Sequence, residues 1–230
     1  SSEHLPADHS IQKEHLQKFF KRLRKLIGIK IRYFACGEYG DKNQRPHYHA
    51  LIFGYDFPDK KIYKVSGSGN ILYTSKILEK VWPYGYSYIG SVTFDSAAYV
   101  ARYQLKKVTG KDAKYLIGNE ETGELYEVNQ PFCLMSRGAK GGHGLGYEWF
   151  KKYKNDIDKD FITFKGVKHP VPKYYESLEE KLEDGEIDLM YKKEARKQRR
   201  KHRTQVEEYN HLKASHEIQK VKLEKLTRDL

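Results

Sequence analysis

One segment constrains the fold of this chain more than any other, residues 45–54 with the sequence Arg-Pro-His-Tyr-His-Ala-Leu-Ile-Phe-Gly. Pro46 disfavours a helical conformation of the residue before it, and the apolar, aromatic and β-branched residues that follow are typical of a buried strand. Successive residues of a strand point to opposite faces of a sheet. His47 and His49 would therefore project from one face, with Tyr48 on the other.

The segment before it, residues 32–40, also has the composition of a strand, and residues 41–44 have that of a turn. If the two strands pair as a hairpin, Glu38 lies near the turn and beside His47 and His49. Two imidazoles and a carboxylate suit a divalent cation such as Mn²⁺ or Mg²⁺, with Zn²⁺ not excluded. The same triplet is also compatible with an ordinary strand whose imidazoles bind neighbouring side chains, so both interpretations stay open.

A helix that carries two tyrosines is predicted over residues 97–107, with Asp95 or Ser96 as its N-cap and Gly110 as its C-terminal stop. Residues three and four apart share one face of a helix. The residues of that face are Tyr99, Tyr103 and Lys106 or Lys107, with Arg102 beside them. A tyrosine stripe is more often part of a core, but the cations around this one favour a functional role.

Together, the His-x-His strand, the carboxylate and the tyrosine helix suit cleavage of a phosphodiester by a tyrosine nucleophile. Attack on phosphorus would leave a covalent phosphotyrosine and a free 3′-hydroxyl. Because the pKa of a phenol is about 10, Lys106 or Lys107 would lower it or offset the developing negative charge. A non-catalytic nucleic-acid-binding module and a nuclease that activates water are the alternatives.

Composition supports a polyanionic partner. Among the 230 residues, 43 are Lys or Arg and 31 are Asp or Glu, which gives a net charge of +12. The 19 tyrosines offer flat surfaces on which unpaired bases could stack, although a core accounts for some of them. Only Cys36 and Cys133 are cysteines, and neither a signal peptide nor a long apolar run is visible, so we expect a cytosolic protein without a disulfide framework.

The remaining segments predict a mixture of helices, strands and loops. A first helix runs from Ser10 as its N-cap to Gly28, and an irregular insertion begins at residue 55. A short helix is predicted over residues 75–82 and a strand over residues 86–93.

Two further stretches are rich in cations. The glycine-rich segment at residues 136–146 contains Arg137 and Lys140, which could follow a phosphate backbone or lie in a loop with no partner. Residues 173–230 are dense in charge, and the basic run from Lys192 to Lys201 suits non-specific contact with DNA or RNA, or a solvated helix. We therefore expect a domain over residues 1–172 and a charged helical extension over residues 173–230.

Two motifs resemble those of a known family. Residues 45–51 are similar to the His-hydrophobe-His motif of the HUH endonucleases, and residues 99–107 are similar to their two-tyrosine motif. Over nearly the whole chain, from about His4, the sequence resembles the replication initiation proteins of the Microviridae, especially the gokushovirus branch. The resemblance implies an α+β fold, with a mostly antiparallel central sheet, helices largely on one face and a helical C-terminal appendage. The strongly apolar first strand of that family is expected to be missing from this chain.

The resemblance also implies a function. It is the initiation of rolling-circle replication in the cytoplasm of a host cell, by nicking an origin, forming a 5′-phosphotyrosine and rejoining strands into circles. Mg²⁺ or Mn²⁺ would bind His47, His49 and Glu38. The expected partners are single-stranded DNA, origin DNA and host replication proteins. The cations expected to contact DNA are Arg45, Arg102, Arg137 and Lys140.

Overall fold

The computed structural model describes residues 4–6, 8–40, 44–102, 114–118, 123–137, 143–157, 160–182, 185–201 and 205–224. Over these residues the chain is an α+β protein with seven α-helices and nine strands, which confirms the predicted fold class. Its contacts divide it into two compact units, one up to Ser136 and the other from Arg137. The boundary at residue 172 was inferred from composition, and it stays a prediction.

The first unit contains three helices and seven strands among its described residues. The helices are α1 (Lys13–Ile27), α2 (Lys76–Val81) and α3 (Phe94–Arg102). The strands are β1 (Arg32–Tyr39), β2 (Pro46–Phe53), β3 (Lys61–Val65), β4 (Ile71–Thr74), β5 (Tyr115–Gly118), β6 (Leu125–Val128) and β7 (Phe132–Met135). They form an antiparallel sheet with the order β2-β1-β7 and two separate hairpins, β3–β4 and β5–β6.

Strands β1 and β2 pair along their whole length, from Arg32 opposite Phe53 to Tyr39 opposite Pro46. The predicted hairpin is therefore confirmed. Strand β7 pairs with the other edge of β1, where Cys36 lies opposite Cys133. β1 is thus the central strand, and five consecutive residues at its end, from Ala35 to Tyr39, are buried.

Helices cover both faces of this sheet. The apolar stripe of α1 and residues of α2 pack against one face, where the ring of Phe20 stacks on Tyr33 with centroids 3.5 Å apart. Helix α3 packs against the other face, where Tyr99 and Val100 form a core with Leu51 of β2 and Cys36 of β1. Two of the helices described for this unit therefore share a face, and α3 covers the face to which the predicted site belongs.

Helix α1 ends as predicted but begins differently. Gly28 adopts a left-handed conformation with φ of 70° and donates its N–H to the carbonyl of Arg24, as expected for a C-terminal glycine. The predicted N-cap, Ser10, is wrong, because the helix begins at Lys13. The hydroxyl of Ser10 instead accepts the N–H of Asn129 at 3.1 Å, which ties the chain before α1 to the loop between β6 and β7.

The N-terminus of α3 is capped by Thr93 rather than by the predicted Asp95 or Ser96. The hydroxyl of Thr93 accepts the N–H of Ser96 at 3.1 Å, and the hydroxyl of Ser96 accepts the N–H of Thr93 at 2.8 Å. This reciprocal pair is a capping box that uses serine at its second position. The predicted remainder of the helix, beyond Arg102, lies outside the described residues.

The segment between β2 and α3 differs from the prediction in two places. The expected irregular insertion contains the hairpin β3–β4, and the expected strand over residues 86–93 forms only a single bridge, between Tyr73 and Ile89. The short helix between them is confirmed, since Ser75 caps α2 by accepting the N–H of Leu78 at 3.1 Å.

The second unit is mainly helical. It contains α4 (Tyr147–Tyr153), followed by a 3₁₀ turn (Lys154–Ile157), the hairpin of β8 (Phe161–Phe164) and β9 (Val167–Pro170), and then α5 (Lys173–Glu179), α6 (Gly185–Lys201) and α7 (Gln205–Glu224). Its small core consists of Phe150, Ile157, Val171 and Leu178. The predicted helical C-terminal part is thus confirmed. Among the described helices of the chain, none combines the length and the apolar character needed to cross a membrane.

Two leucines on α1 allow a matched test of this packing. Leu23 is fully buried, whereas Leu26 is 44% exposed. Leu23→Ala should lower the free energy of unfolding by about 2–5 kcal/mol, because a buried leucine leaves a cavity. Leu26→Ala should change it by less than about 0.5 kcal/mol. Urea denaturation of both variants measures the difference, and equal losses would contradict the described orientation of α1.

Candidate active site

The register of the hairpin places the predicted ligands on one face of the sheet. Glu38 lies opposite His47, and Cys36 lies opposite His49. Because directly opposed residues of an antiparallel pair share a face, Glu38, His47 and His49 all project from the face that α3 covers.

Glu38 and His49 are in direct contact. The Nε2 atom of His49 lies 3.2 Å from Oε1 of Glu38. Glu38 is only 4% exposed, and a buried carboxylate requires a hydrogen-bonding partner because burial removes its water. The pair therefore fixes a carboxylate and an imidazole beside each other at the end of the central strand.

His47 lies on the same face but apart from this pair. Its ring packs over Gly40, where a Cβ atom would come within 2.6 Å of Cε1 of the imidazole. Across the described part of the chain, no three His, Cys, Asp or Glu side chains are close enough together to hold a metal ion as they stand. The structure thus joins two of the predicted ligands, and the third would have to turn away from Gly40 to join them.

Tyr99 is the residue of α3 that contacts the pair. It is 9% exposed, and its ring lies edge-on to the ring of His49 with centroids 5.7 Å apart. One helical turn further on, the guanidinium of Arg102 lies 5.3 Å from the centroid of the Tyr99 ring. The fold therefore brings a phenol, an imidazole and a carboxylate together, with a cation next to the phenol.

Several predicted site residues are not part of this arrangement. Tyr103, Lys106, Lys107 and Lys140 lie outside the described residues, so their roles stay predictions. Arg45 is exposed beside the first residue of β2, and its carbonyl accepts the N–H of Gly40 at 2.9 Å. Arg137 is exposed and belongs to the second unit.

The prediction did not include the residues that form the floor of the site. Cys36 and Cys133 face each other across β1 and β7 and pack with Leu51 and Val100 beneath α3. Cys36 places its Sγ 3.9 Å from the carbonyl oxygen of Val100. The two-residue alternation of Cys36 with Glu38 was the available signal, because it assigns both residues to one face.

Tyr48, between the two histidines in sequence, anchors the opposite face. Its hydroxyl accepts the N–H of Gln12 at 2.7 Å and lies 3.0 Å from Nδ1 of His15. Burial raises the pKa of Tyr48 to about 12, so that its phenol stays protonated at neutral pH. It ties β2 to the start of α1, and this contact holds the strand that carries His47 and His49.

Part of the basic run in the second unit has a structural partner. Arg196 of α6 pairs with Asp160 and, at 2.7 Å, with Glu176 of α5, and these hydrogen bonds raise the pKa of its guanidinium. Lys192 of α6 pairs in the same way with Glu179. These two cations hold α6 in place, so a contact with DNA would depend on the other cations of the run.

Comparison with known proteins agrees with the motifs. Residues 4–108, which include the hairpin and α3, match the family model for replication-associated proteins of the ORF2 type. The replication-associated protein VP4 of Bdellovibrio phage phiMH2K is 31% identical over 216 residues, covering 86% of this chain and 64% of that protein. This chain is a relative of phage replication-associated proteins.

Two other phage proteins are similar to it. The replication-associated protein ORF2 of Spiroplasma virus 4 is 35% identical over 192 residues, or 80% of this chain and 55% of that protein. The replication-associated protein ORF4 of Chlamydia phage 1 is 29% identical over 208 residues, or 85% of this chain and 48% of that protein. The chain thus spans between about half and two thirds of these replication-associated relatives. No solved structure gives a significant match to the chain.

The contact between His47 and Gly40 can be tested by adding one methyl group. Gly40→Ala should displace the imidazole, because the new Cβ would lie 2.6 Å from it. Gly67 has open space around its Cβ position, so Gly67→Ala is the matched control. The ¹H–¹³C NMR signals of the His47 ring should move in the first variant and stay in place in the second. Unmoved signals in both variants would contradict the placement of His47.

Proposed function

We propose that this chain is the nicking enzyme of a rolling-circle replication initiator of the HUH type, which acts on single-stranded and origin DNA in the host cytoplasm. The observation that carries the proposal is the position of Tyr99 on α3, edge-on to His49, whose imidazole is bound to Glu38. A nucleophile next to a pair of ligand-type side chains is the arrangement that a tyrosine endonuclease needs. The names of the phage relatives agree with a role in replication.

In the proposed reaction, the phenol oxygen of Tyr99 attacks the phosphorus of the scissile phosphodiester. A bond from oxygen to phosphorus forms, the bond from phosphorus to the 3′-oxygen breaks, and the phenol proton is lost while the 3′-oxygen gains one. The products are a 5′-phosphotyrosine and a 3′-hydroxyl. Arg102, whose cation lies over the ring of Tyr99, is placed to offset negative charge that develops there.

The donor set on the sheet face fits a divalent cation. Glu38 supplies a buried carboxylate and His49 an adjacent imidazole, and His47 projects from the same face. This mixture of oxygen and nitrogen donors suits Mg²⁺ or Mn²⁺. When bound, such a cation would withdraw electron density from a non-bridging oxygen of the scissile phosphate.

Rejoining of strands requires a second transfer while the first DNA end is still covalently held. Tyr103 is four residues after Tyr99 in the sequence, the spacing that places two side chains on one face of a helix. We propose that it accepts the second strand, and that Lys106 or Lys107 supports the two tyrosines by offsetting charge. Each tyrosine would then act in turn on the same phosphate position.

One observation favours a second candidate function. Tyr99 is 9% exposed and packs with Leu51 and Val100, as a residue with a purely structural role would. The chain would then be a non-catalytic module that binds nucleic acid through its exposed cations and aromatic rings. Covalent capture of cleaved DNA separates the two functions, because a binding module cannot produce it.

The proposal predicts a covalent adduct that depends on two tyrosines. The protein incubated with labelled circular single-stranded phage DNA and Mn²⁺ should form an adduct that survives denaturation. Tyr99→Phe and Tyr103→Phe should each keep some cleavage but release few closed circles, since one nucleophile remains. The double variant should form no adduct, and mass spectrometry should locate the nucleotide on either tyrosine of the unaltered protein.

The matched control for these variants is Tyr209→Phe, at a tyrosine of α7 that is 64% exposed. It should leave the adduct unchanged. An adduct in the double variant would exclude both tyrosines as nucleophiles. Cleavage without any adduct that persists in the double variant would instead indicate a nuclease that activates water.

The predicted ligands can be tested apart from the tyrosines. Replacing His47 and His49 together by alanine should abolish cleavage and remove calorimetrically detected binding of Mn²⁺, while most affinity for DNA remains, since the cations that contact phosphate are unchanged. His216→Ala, at a histidine of α7 whose side chain is 77% exposed, is the control. Unchanged cleavage in the double variant would rule out the proposed metal site.

A further inference from the structure

A surface of the first unit away from its cores carries three tyrosines with open rings. Every residue of β3 is exposed, including Tyr63 at 53%, and the segment before α3 exposes Tyr88 at 43% and Tyr86 at 80%. Ile62, next to Tyr63, is 70% exposed. We refer to Ile62, Tyr63, Tyr86 and Tyr88 as the tyrosine patch. Exposed apolar residues that cluster in this way mark a site of interaction on a protein surface.

The rings of the tyrosine patch are held in place. Tyr63 and Tyr88 stack with centroids 4.9 Å apart and an angle of 24° between their planes. A hydrogen bond with Tyr63, together with burial, raises the pKa of Tyr88. The backbone next to Tyr88 is fixed by two hydrogen bonds between Tyr73 and Ile89, of 2.9 and 2.8 Å. Rings that are already ordered lose little conformational freedom when a ligand binds.

The charge around the tyrosine patch is positive. Lys61 and Lys64 are exposed on β3, and the ammonium of Lys64 lies 5.8 Å from the centroid of the Tyr63 ring. The two acidic residues that precede β3 are already engaged, since Asp56 binds Lys60 at 2.6 Å and Asp59 accepts the N–H of Ile77 at 3.0 Å. The patch therefore combines flat aromatic faces with cations that are available to a polyanion.

We infer that the tyrosine patch is a second contact surface for single-stranded DNA, outside the nicking site. Unpaired bases would stack on Tyr63, Tyr86 and Tyr88, and Lys61 and Lys64 would contact the phosphates. Bases in a duplex already stack on each other, so the patch would select single strands. The inference rests on the proposed function, in which the substrate is single-stranded DNA, and it assigns that substrate a path along β3 and the segment that leads into α3.

The test measures binding of fluorescent oligo(dT) by anisotropy, with the full chain and EDTA present. Tyr63→Ala combined with Tyr88→Ala should weaken binding of single-stranded DNA about tenfold, because stacking contributes strongly for each base. Binding of duplex DNA should not change. Tyr63→Phe, which keeps the aromatic ring, should retain most of the affinity for oligo(dT). Thermal unfolding of each variant verifies that the fold is intact.

The control is Tyr209→Ala, at an exposed tyrosine of α7 outside the tyrosine patch. It should leave the affinity for oligo(dT) unchanged. Photo-crosslinking with an iodouridine oligonucleotide should attach DNA to Tyr63, Tyr86 or Tyr88 of the unaltered protein. Unchanged affinity in the double alanine variant, or crosslinks at none of these tyrosines, would overturn the inference and leave a protein partner for the patch.

Failure of this inference can be told apart from failure of the proposed function. Anisotropy in EDTA requires no cleavage, so a protein that binds through the tyrosine patch and never forms an adduct overturns only the nicking function. A protein that forms the adduct and binds oligo(dT) equally well with and without Tyr63 and Tyr88 overturns only the contact surface.

Discussion

The pairing of β1 with β2 is the constraint on which the rest of the first unit depends. It runs from Arg32 opposite Phe53 to Tyr39 opposite Pro46 without a shift in register. Because the side chains of a strand alternate, a slip by one residue would move every side chain of β2 to the other face. His49 would then leave Glu38 and enter the core beneath α1, and Tyr48 would lose its contact with Gln12. One register thus decides the core and the site together.

The sequence was sufficient to predict this hairpin and the face of its histidines, because alternation and a proline-led strand are local signals. It was not sufficient to predict the position of the His47 ring, since the choice of rotamer depends on the space above Gly40, which only the folded turn defines. The cap of α3 was missed for a related reason. Thr93, Asp95 and Ser96 are all good caps by residue type, and only the backbone path from Ile89 selects Thr93.

The two faces of β2 show how one strand can serve both stability and chemistry. Tyr48 faces α1, where burial keeps its phenol protonated and its hydroxyl is committed to Gln12. Tyr99 reaches the opposite face from α3, next to His49. Residue type alone does not distinguish these two tyrosines. Their difference lies in their neighbours: one phenol is enclosed by backbone donors and aromatic rings, and the other lies beside ligand-type side chains and Arg102.

The ion pairs of Arg196 give the second unit a dependence on salt that is separate from binding. Arg196 and Lys192 hold α6 through Asp160, Glu176 and Glu179, and mobile ions screen such partly exposed pairs. Raising the ionic strength therefore acts on this helix twice, once by competing for any bound polyanion and once by loosening the contacts that position it. A slope of affinity against salt measured on the whole chain would count both effects, and dividing it by the charge of one phosphate would overstate the number of phosphates bound.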